Sequence, residues 1–182
     1  MASARRARRD RALLLVGMMG AGKSTVGRAL ANRLGWRFID SDASVEAARG
    51  LPIEEIFAAE GAESFRALEA QVLRELPDRE AVVALGGGAV LAPENRELLR
   101  RKGVIVWLDA SPEILAARIG SDAARPLLAG TDGSTRIERL RQLCAERAAA
   151  YACADLRVPT DGLSVAESCG AVLAALGWEV AA

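Results

Sequence analysis

Apolar and polar positions along the chain follow two patterns that take turns. Short, mainly apolar runs at 12–16, 36–39, 81–85, 103–108 and 156–158 suit strands packed inside a parallel sheet. Between them the apolar residues recur at helical spacing, as with Val26, Ala29, Leu30, Ala31 and Leu34 on one face of a helix beginning at Lys23. Further helices are expected over 43–49, from about 51 to a break at Gly61, over 63–76, 93–101, 112–119 and 135–151, and over 163–176. Ser111 suits the N-cap of the 112–119 helix, with Pro112 at its first position and Glu113 in its first turn. Strands alternating with helices predict an α/β fold, a parallel sheet covered on both faces. No repeat, low-complexity linker or boundary interrupts the pattern, so residues 1–182 are expected to form one domain.

The junction of the first strand and first helix carries the strongest chemical signal. Gly17-Met18-Met19-Gly20-Ala21-Gly22-Lys23-Ser24-Thr25 fits GxxxxGK[ST] at every fixed position. Its glycines let successive N–H groups turn inward on a phosphate, and the following helix adds the positive end of its dipole. In such a loop Lys23 reaches the β- and γ-phosphates and the Ser24 hydroxyl ligates Mg²⁺.

Composition narrows the remaining chemistry. Lys plus Arg and Asp plus Glu are both 24, so there is no basic global field for nucleic acid. The chain has no histidine, which removes the commonest general base and the Ser/His/Asp triad; any base must be a carboxylate. Cys144, Cys153 and Cys169 lack CxxC spacing and read as small apolar residues in a reducing compartment, hence the cytoplasm. Arg5, Arg6, Arg8, Arg9 and Arg11 followed by an apolar run imitate a signal peptide. That run is the strand feeding the P-loop, so residues 1–10 are expected to be a solvated tail. No apolar run approaches the length of a membrane span.

Other positions sit where a ligand for such a loop would lie. Asp40 and Asp42 end the second strand and can face the crevice at the sheet's carboxyl edge. Asp42 also suits the N-cap of the next helix, and could do both. Arg66 and Glu69 are three apart on one helix face, either a surface pair or a carboxylate holding a guanidinium for a ligand. Gly86-Gly87-Gly88 after the third strand implies close backbone approach to something. Residues 120–134 have glycines around Arg125-Pro126-Leu127-Leu128, the look of a hinged lid carrying one arginine or of an ordinary surface loop. Most of Arg136, Arg139, Arg141 and Arg147 are expected to be solvated, paired with Glu138 and Glu146.

Taken in order, the P-loop, Phe38-Ile39-Asp40-Ser41-Asp42, Phe65-Arg66-x-x-Glu69, Gly86-Gly87-Gly88, Arg125-Pro126-Leu127-Leu128 and Arg147-x-x-x-Tyr151 closely resemble the shikimate kinases, small P-loop kinases of aromatic amino-acid biosynthesis. The resemblance runs from about residue 13 to 158. It implies a P-loop nucleoside monophosphate kinase-like fold, with a central five-stranded parallel sheet, a substrate-binding helical segment at about 41–76 and a lid at about 120–134. The implied reaction is transfer of the γ-phosphoryl of ATP to the 3-hydroxyl of shikimate, with Mg²⁺. The implied nucleotide-binding residues are Gly20, Ala21, Gly22, Lys23, Ser24 and Thr25, with Arg118 by the adenine and Arg125 at the transferring phosphate. Ser24 and Asp40 would serve the metal. Asp42 would hold the acceptor hydroxyls and act as base, making Lys23, Asp42 and Arg125 the catalytic set. Arg66 and Arg147 would take the shikimate carboxylate, and Gly87 and Gly88 would offer backbone N–H groups. The implied partners are ATP and shikimate, with no nucleic acid or membrane, and a monomer is the default.

Two departures stand out. The family commonly has Gly-Glu-x-x-Phe-Arg, whereas Gly61 is followed by Ala62, with Glu63 one place later, which would loosen a local salt bridge. Residues 159–162 match the family's adenine loop only loosely and receive no assignment. Three rivals remain. A gluconate kinase would also need arginines for a carboxylate. A catalytically silent relative is opposed by the intact Lys23, Ser24, Asp42 and Arg125. A switch GTPase is opposed by the lack of an Asn-Lys-x-Asp signature.

Overall fold

The five apolar runs become five strands: β1 (Ala12–Val16), β2 (Arg37–Asp40), β3 (Ala81–Ala84), β4 (Gly103–Asp109) and β5 (Leu156–Pro159). Among the described residues seven helices join and follow them: α1 (Lys23–Leu34), α2 (Ser41–Arg49), α3 (Ile53–Glu75), α4 (Pro93–Lys102), α5 (Pro112–Ile119), α6 (Gly133–Tyr151) and α7 (Val165–Leu176). This computed structural model describes residues 10–119, 128 and 131–178. The basic tail up to residue 9, Arg125 and most of the expected lid therefore lie outside the described residues.

All strand pairs are parallel, in the order β2-β3-β1-β4-β5. β1 is central, with Leu14 beside Val83 of β3 on one side and Ile105 of β4 on the other. Its five residues are all buried, as expected for a strand covered on both faces. The edge strands β2 and β5 are only partly buried, and they hold the more polar sequences. The chain crosses to one side of β1 for β2 and β3, then to the other for β4 and β5. Such a switch point leaves a crevice at the carboxyl end of the central strand, where the glycine loop begins.

A smaller apolar cluster stands apart from the sheet. Val45, Ile56, Phe65 and Val72 form its buried part, and Phe57 stacks on Phe65 with ring centroids 4.4 Å apart. α3 can wrap this cluster because Gly61 (φ 81°, ψ 175°) breaks the helical path, a conformation open mainly to glycine. The Glu46 carboxylate of α2 accepts from the Ile53 N–H at 3.0 Å and so caps the first turn of α3. Beside this break Arg49 pairs with Glu60, to which the Ser64 hydroxyl also donates at 2.8 Å.

The cysteines are all free thiols. Cys169 is buried as expected, whereas Cys144 and Cys153 are half-buried. Among the described residues no helix is long and apolar enough to cross a membrane.

Candidate active site

A cavity of about 950 Å³ opens at the carboxyl edge of the sheet. One end is the glycine loop: Gly20, Ala21, Gly22, Lys23, Ser24 and Thr25 all line it. Gly22, immediately before α1, has φ 88°, a left-handed conformation of the kind that lets successive loop N–H groups turn inward on a phosphate. The Lys23 ammonium donates to the carbonyls of Gly17 (2.9 Å) and Met18 (3.0 Å), folded along the loop that it would serve.

The two aspartates do different things, and the strand-end expectation needs correcting. β2 ends at Asp40, and Asp42 belongs to the first turn of α2. The cap of α2 is Asp40, not Asp42: its Oδ1 accepts from the N–H groups of Asp42 (3.1 Å) and Ala43 (3.5 Å). The reason is that a cap must precede the helix, which begins two residues earlier than the apolar pattern suggests. Asp40 Oδ2 accepts from the Ser24 hydroxyl at 2.7 Å. Two hard oxygen donors thus stand together beside the phosphate loop. Among the described residues no cluster of three or more His, Cys, Asp or Glu suits a metal. A cation held here would need its other ligands from phosphate and water, a donor set that fits Mg²⁺.

Asp42 is left free of capping and lines the cavity. Burial lifts its carboxyl above the ordinary aspartate value; Asp40 adds to the rise, while Lys23 and Arg66 oppose it. A carboxylate raised in this way is a better proton acceptor. Its neighbour Ser41, buried, accepts the Gly86 N–H at 2.9 Å and ties α2 to the end of β3. A Cβ on Gly86 would collide with Asp42 Oδ1, so the close approach expected at the glycine triplet is approach to Asp42.

The other end of the cavity is cationic. Arg66 donates to Glu69 Oε2 at 2.6 Å. The pair is not a surface bridge, since the Glu69 side chain is 3 % exposed and that of Arg66 42 % exposed. Burial raises the Glu69 carboxyl above its ordinary value even against its arginine, so desolvation outweighs the ion pair. Glu69 is therefore a buried stop that holds the guanidinium at the cavity. A Cβ on Gly88 would lie 2.7 Å from Arg66 Nη2, which leaves room for a glycine alone while the guanidinium sits there. Arg147 arrives from α6, buried rather than solvated, and its Nη1 donates to the Gly87 carbonyl at 3.2 Å. Of the other arginines on that helix, Arg141 pairs with Glu138 as expected and also with Glu113 of α5.

Arg118 lines the same cavity, and its guanidinium donates to the Thr160 carbonyl (2.7 Å) and hydroxyl (3.2 Å). Thr160 falls in the stretch left unassigned from sequence, and nothing but its place after a strand distinguishes it there. Phe57, Ile53, Leu163 and Val165 also line the cavity without having been singled out. The Phe57–Phe65 stack could have been suspected from their helical periodicity, but Gly61 between them breaks the register. The structure thus brings Gly20 to Thr25, Asp40, Asp42, Arg66, Gly87, Gly88, Arg118 and Arg147 to one cavity.

Fold and site together define a P-loop phosphotransferase of the small-molecule kinase class. The family profile described as "Shikimate kinase" matches residues 19–177. The chain belongs to the shikimate kinase family. A shikimate kinase of Gloeobacter violaceus is 51% identical over 167 residues, covering 90% of this chain and 92% of that one. The solved structure of shikimate kinase from Acinetobacter baumannii in complex with shikimate is 37% identical, with a TM-score of 0.83 over 93% of this chain and 94% of its own. A gluconokinase from Sinorhizobium meliloti shares the fold at 22% identity and a TM-score of 0.56, covering 93% of each chain.

Proposed function

We propose that this protein transfers the γ-phosphoryl group of ATP to the 3-hydroxyl of shikimate. The observation that carries the reading is the polarity of one cavity, with a phosphate loop at one end and two arginines beside a raised-pKa aspartate at the other. Shikimate has one carboxylate and three hydroxyls, and matches that order of groups.

In this reading the loop N–H groups and Lys23 hold the triphosphate, Lys23 exchanging its two carbonyl partners for phosphate oxygens. Ser24 and Asp40 hold Mg²⁺, which when bound neutralises charge on the phosphates. Arg66 and Arg147 take the acceptor carboxylate and so orient the ring. Asp42 holds the attacking hydroxyl and accepts its proton; Glu69 keeps Arg66 in place meanwhile. Phosphoryl transfer needs little more than this alignment and charge neutralisation, so a chain without histidine suffices. We assign Arg125 to the transferring phosphate and 120–134 to the lid on their match to the family pattern. Arg118, braced on Thr160, is assigned to the adenine. The 182 residues are taken to act as one domain and a cytoplasmic monomer, in keeping with three free thiols and a cavity whose two ends come from one chain.

The test is ADP release by the purified protein with ATP, Mg²⁺ and shikimate, beside gluconate and a no-acceptor control. Stimulation by shikimate alone is expected. A response to gluconate would give Arg66 and Arg147 to another acid. Bound ATP with no stimulation by either would mark a silent relative.

A further inference from the structure

Tyr151 ends α6 and is the only tyrosine in the chain. It is buried and does not line the main cavity; it borders a second cavity of about 330 Å³, together with Met18 and Trp107. Its hydroxyl donates to the Gly87 carbonyl at 2.8 Å, the same oxygen that Arg147 reaches at 3.2 Å from one helical turn earlier. Trp107 packs against the ring at a tilt of 35°, its centroid 5.6 Å away.

We propose that Tyr151 is a positioning residue for the phosphoryl acceptor: by holding the Gly87 carbonyl back from the cavity, it aims the Gly88 N–H into it. The inference rests on the shikimate kinase reading and assigns this side chain a role within it. In a planar trans peptide the C=O and the next N–H point in opposite directions. A carbonyl tied to Tyr151, on the side of the second cavity, therefore turns the Gly88 N–H toward the first. The flanking carbonyls are also fixed on the protein side, that of Gly86 accepting from Ala89 N–H (3.0 Å) and that of Gly88 from Leu91 N–H (3.0 Å). Among the described residues neither the Gly87 nor the Gly88 N–H has an acceptor. Two donors thus face the cavity, beside the guanidinium of Arg66.

Tyr151 also frees Arg147. A guanidinium that turns toward an acceptor carboxylate leaves the Gly87 carbonyl, and the tyrosine keeps that oxygen hydrogen-bonded. Burial raises the phenol above its ordinary value, with Arg147 pulling the other way, so the hydroxyl stays a donor through neutral pH. Met18 Sδ lies 3.6 Å from the hydroxyl, but a phenyl ring keeps that packing. Removing the oxygen should therefore disturb the acceptor and spare the nucleotide.

The experiment is Tyr151→Phe, assayed by ADP release with shikimate varied at saturating ATP, then ATP varied at saturating shikimate. The expected result is a KM for shikimate raised about tenfold, as for one lost orienting hydrogen bond, with an unchanged KM for ATP. An unchanged KM for shikimate, with or without a lower melting temperature, would make Tyr151 a packing residue and overturn the proposal. Should that variant not fold, ring-fluorinated tyrosine supplied in place of tyrosine alters this one side chain and lowers its phenol pKa. Its KM for shikimate should climb with pH as the phenol ionises, where that of the parent stays level; a level profile would overturn the proposal. A parent protein that shikimate does not stimulate would overturn the kinase reading itself, and this role with it.

Discussion

The two ends of the cavity are built by opposite means. The phosphate loop proposed for the nucleotide is one unbroken stretch, Gly17 to Thr25, which would bind mostly through backbone N–H and whose geometry follows from glycines and one helix start. The end proposed for the acceptor is gathered from α2, α3, the β3 exit and α6, residues 42 to 147 in sequence, and its groups are mainly side chains, each held through side-chain or backbone partners. A backbone site is specified locally and serves any nucleoside triphosphate. A site assembled over a long stretch of chain depends on the packing of several elements, and there the particular acceptor is chosen.

That contrast can be tested by substitutions that strike one end only. Asp42→Asn should have the largest effect, with kcat falling by up to about 10⁴-fold while the ATP dissociation constant stays near that of the parent. Near-normal turnover would remove Asp42 from the chemistry. Lys23→Ala is the mirror case: turnover should fall by roughly 10³-fold, with equilibrium binding of shikimate retained. Arg66→Ala should raise the KM for shikimate by about 10- to 100-fold, the worth of a charged hydrogen-bonded pair, and leave that for ATP alone. Equal losses for both substrates would mean that the two ends are not separable.

Smaller effects follow from pH and packing. Because the folded Asp42 carboxyl is raised from its ordinary 3.8, kcat should begin to fall with acid at a higher pH than an exposed aspartate would give. The same shift has a stability sign. A carboxyl raised on folding is penalised when charged, so the penalty is present above the folded pKa and disappears as pH falls to 3.8 and below. Asp42→Asn should thus melt higher than the parent at neutral pH, and the two should converge in acid. Equal melting at neutral pH would contradict the raised value. Gly27→Ala should touch neither end: its Cβ would lie 2.7 Å from the Phe38 ring, costing about 1–3 kcal/mol of stability by denaturant titration with both KM values unchanged.

The same division decides what could be read from the sequence. Strands and helices were legible because burial on both sheet faces leaves continuous apolar runs and one-sided helices leave a period of 3.6. The glycine loop was legible because all its groups are neighbours in the chain. Asp42 could be suspected from its place after the second strand, but Arg66 and Arg147 needed a resemblance, since no local rule tells a solvated arginine from one buried against Gly87. The cap at Asp40 was misplaced by two residues because helix onset depends on side-chain hydrogen bonds that leave no periodicity. Thr160 and Phe57 were invisible for a related reason: each matters through a partner distant in the chain or across a broken helix.

Asp40 divides its two oxygens between separate tasks, Oδ1 on the start of α2 and Oδ2 on Ser24. Folding and catalysis therefore place demands on one side chain through different atoms, and the demands can be uncoupled. An asparagine there can keep its carbonyl oxygen on the helix while turning an amide NH₂ toward the hydroxyl. Such a chain would fold with its sheet and α2 intact and yet, in the proposed mechanism, lack the anionic group assigned to Mg²⁺. If Asp40 serves Mg²⁺ as proposed, position 40 is a place where dependence on the metal can be tuned without rebuilding the scaffold that presents it.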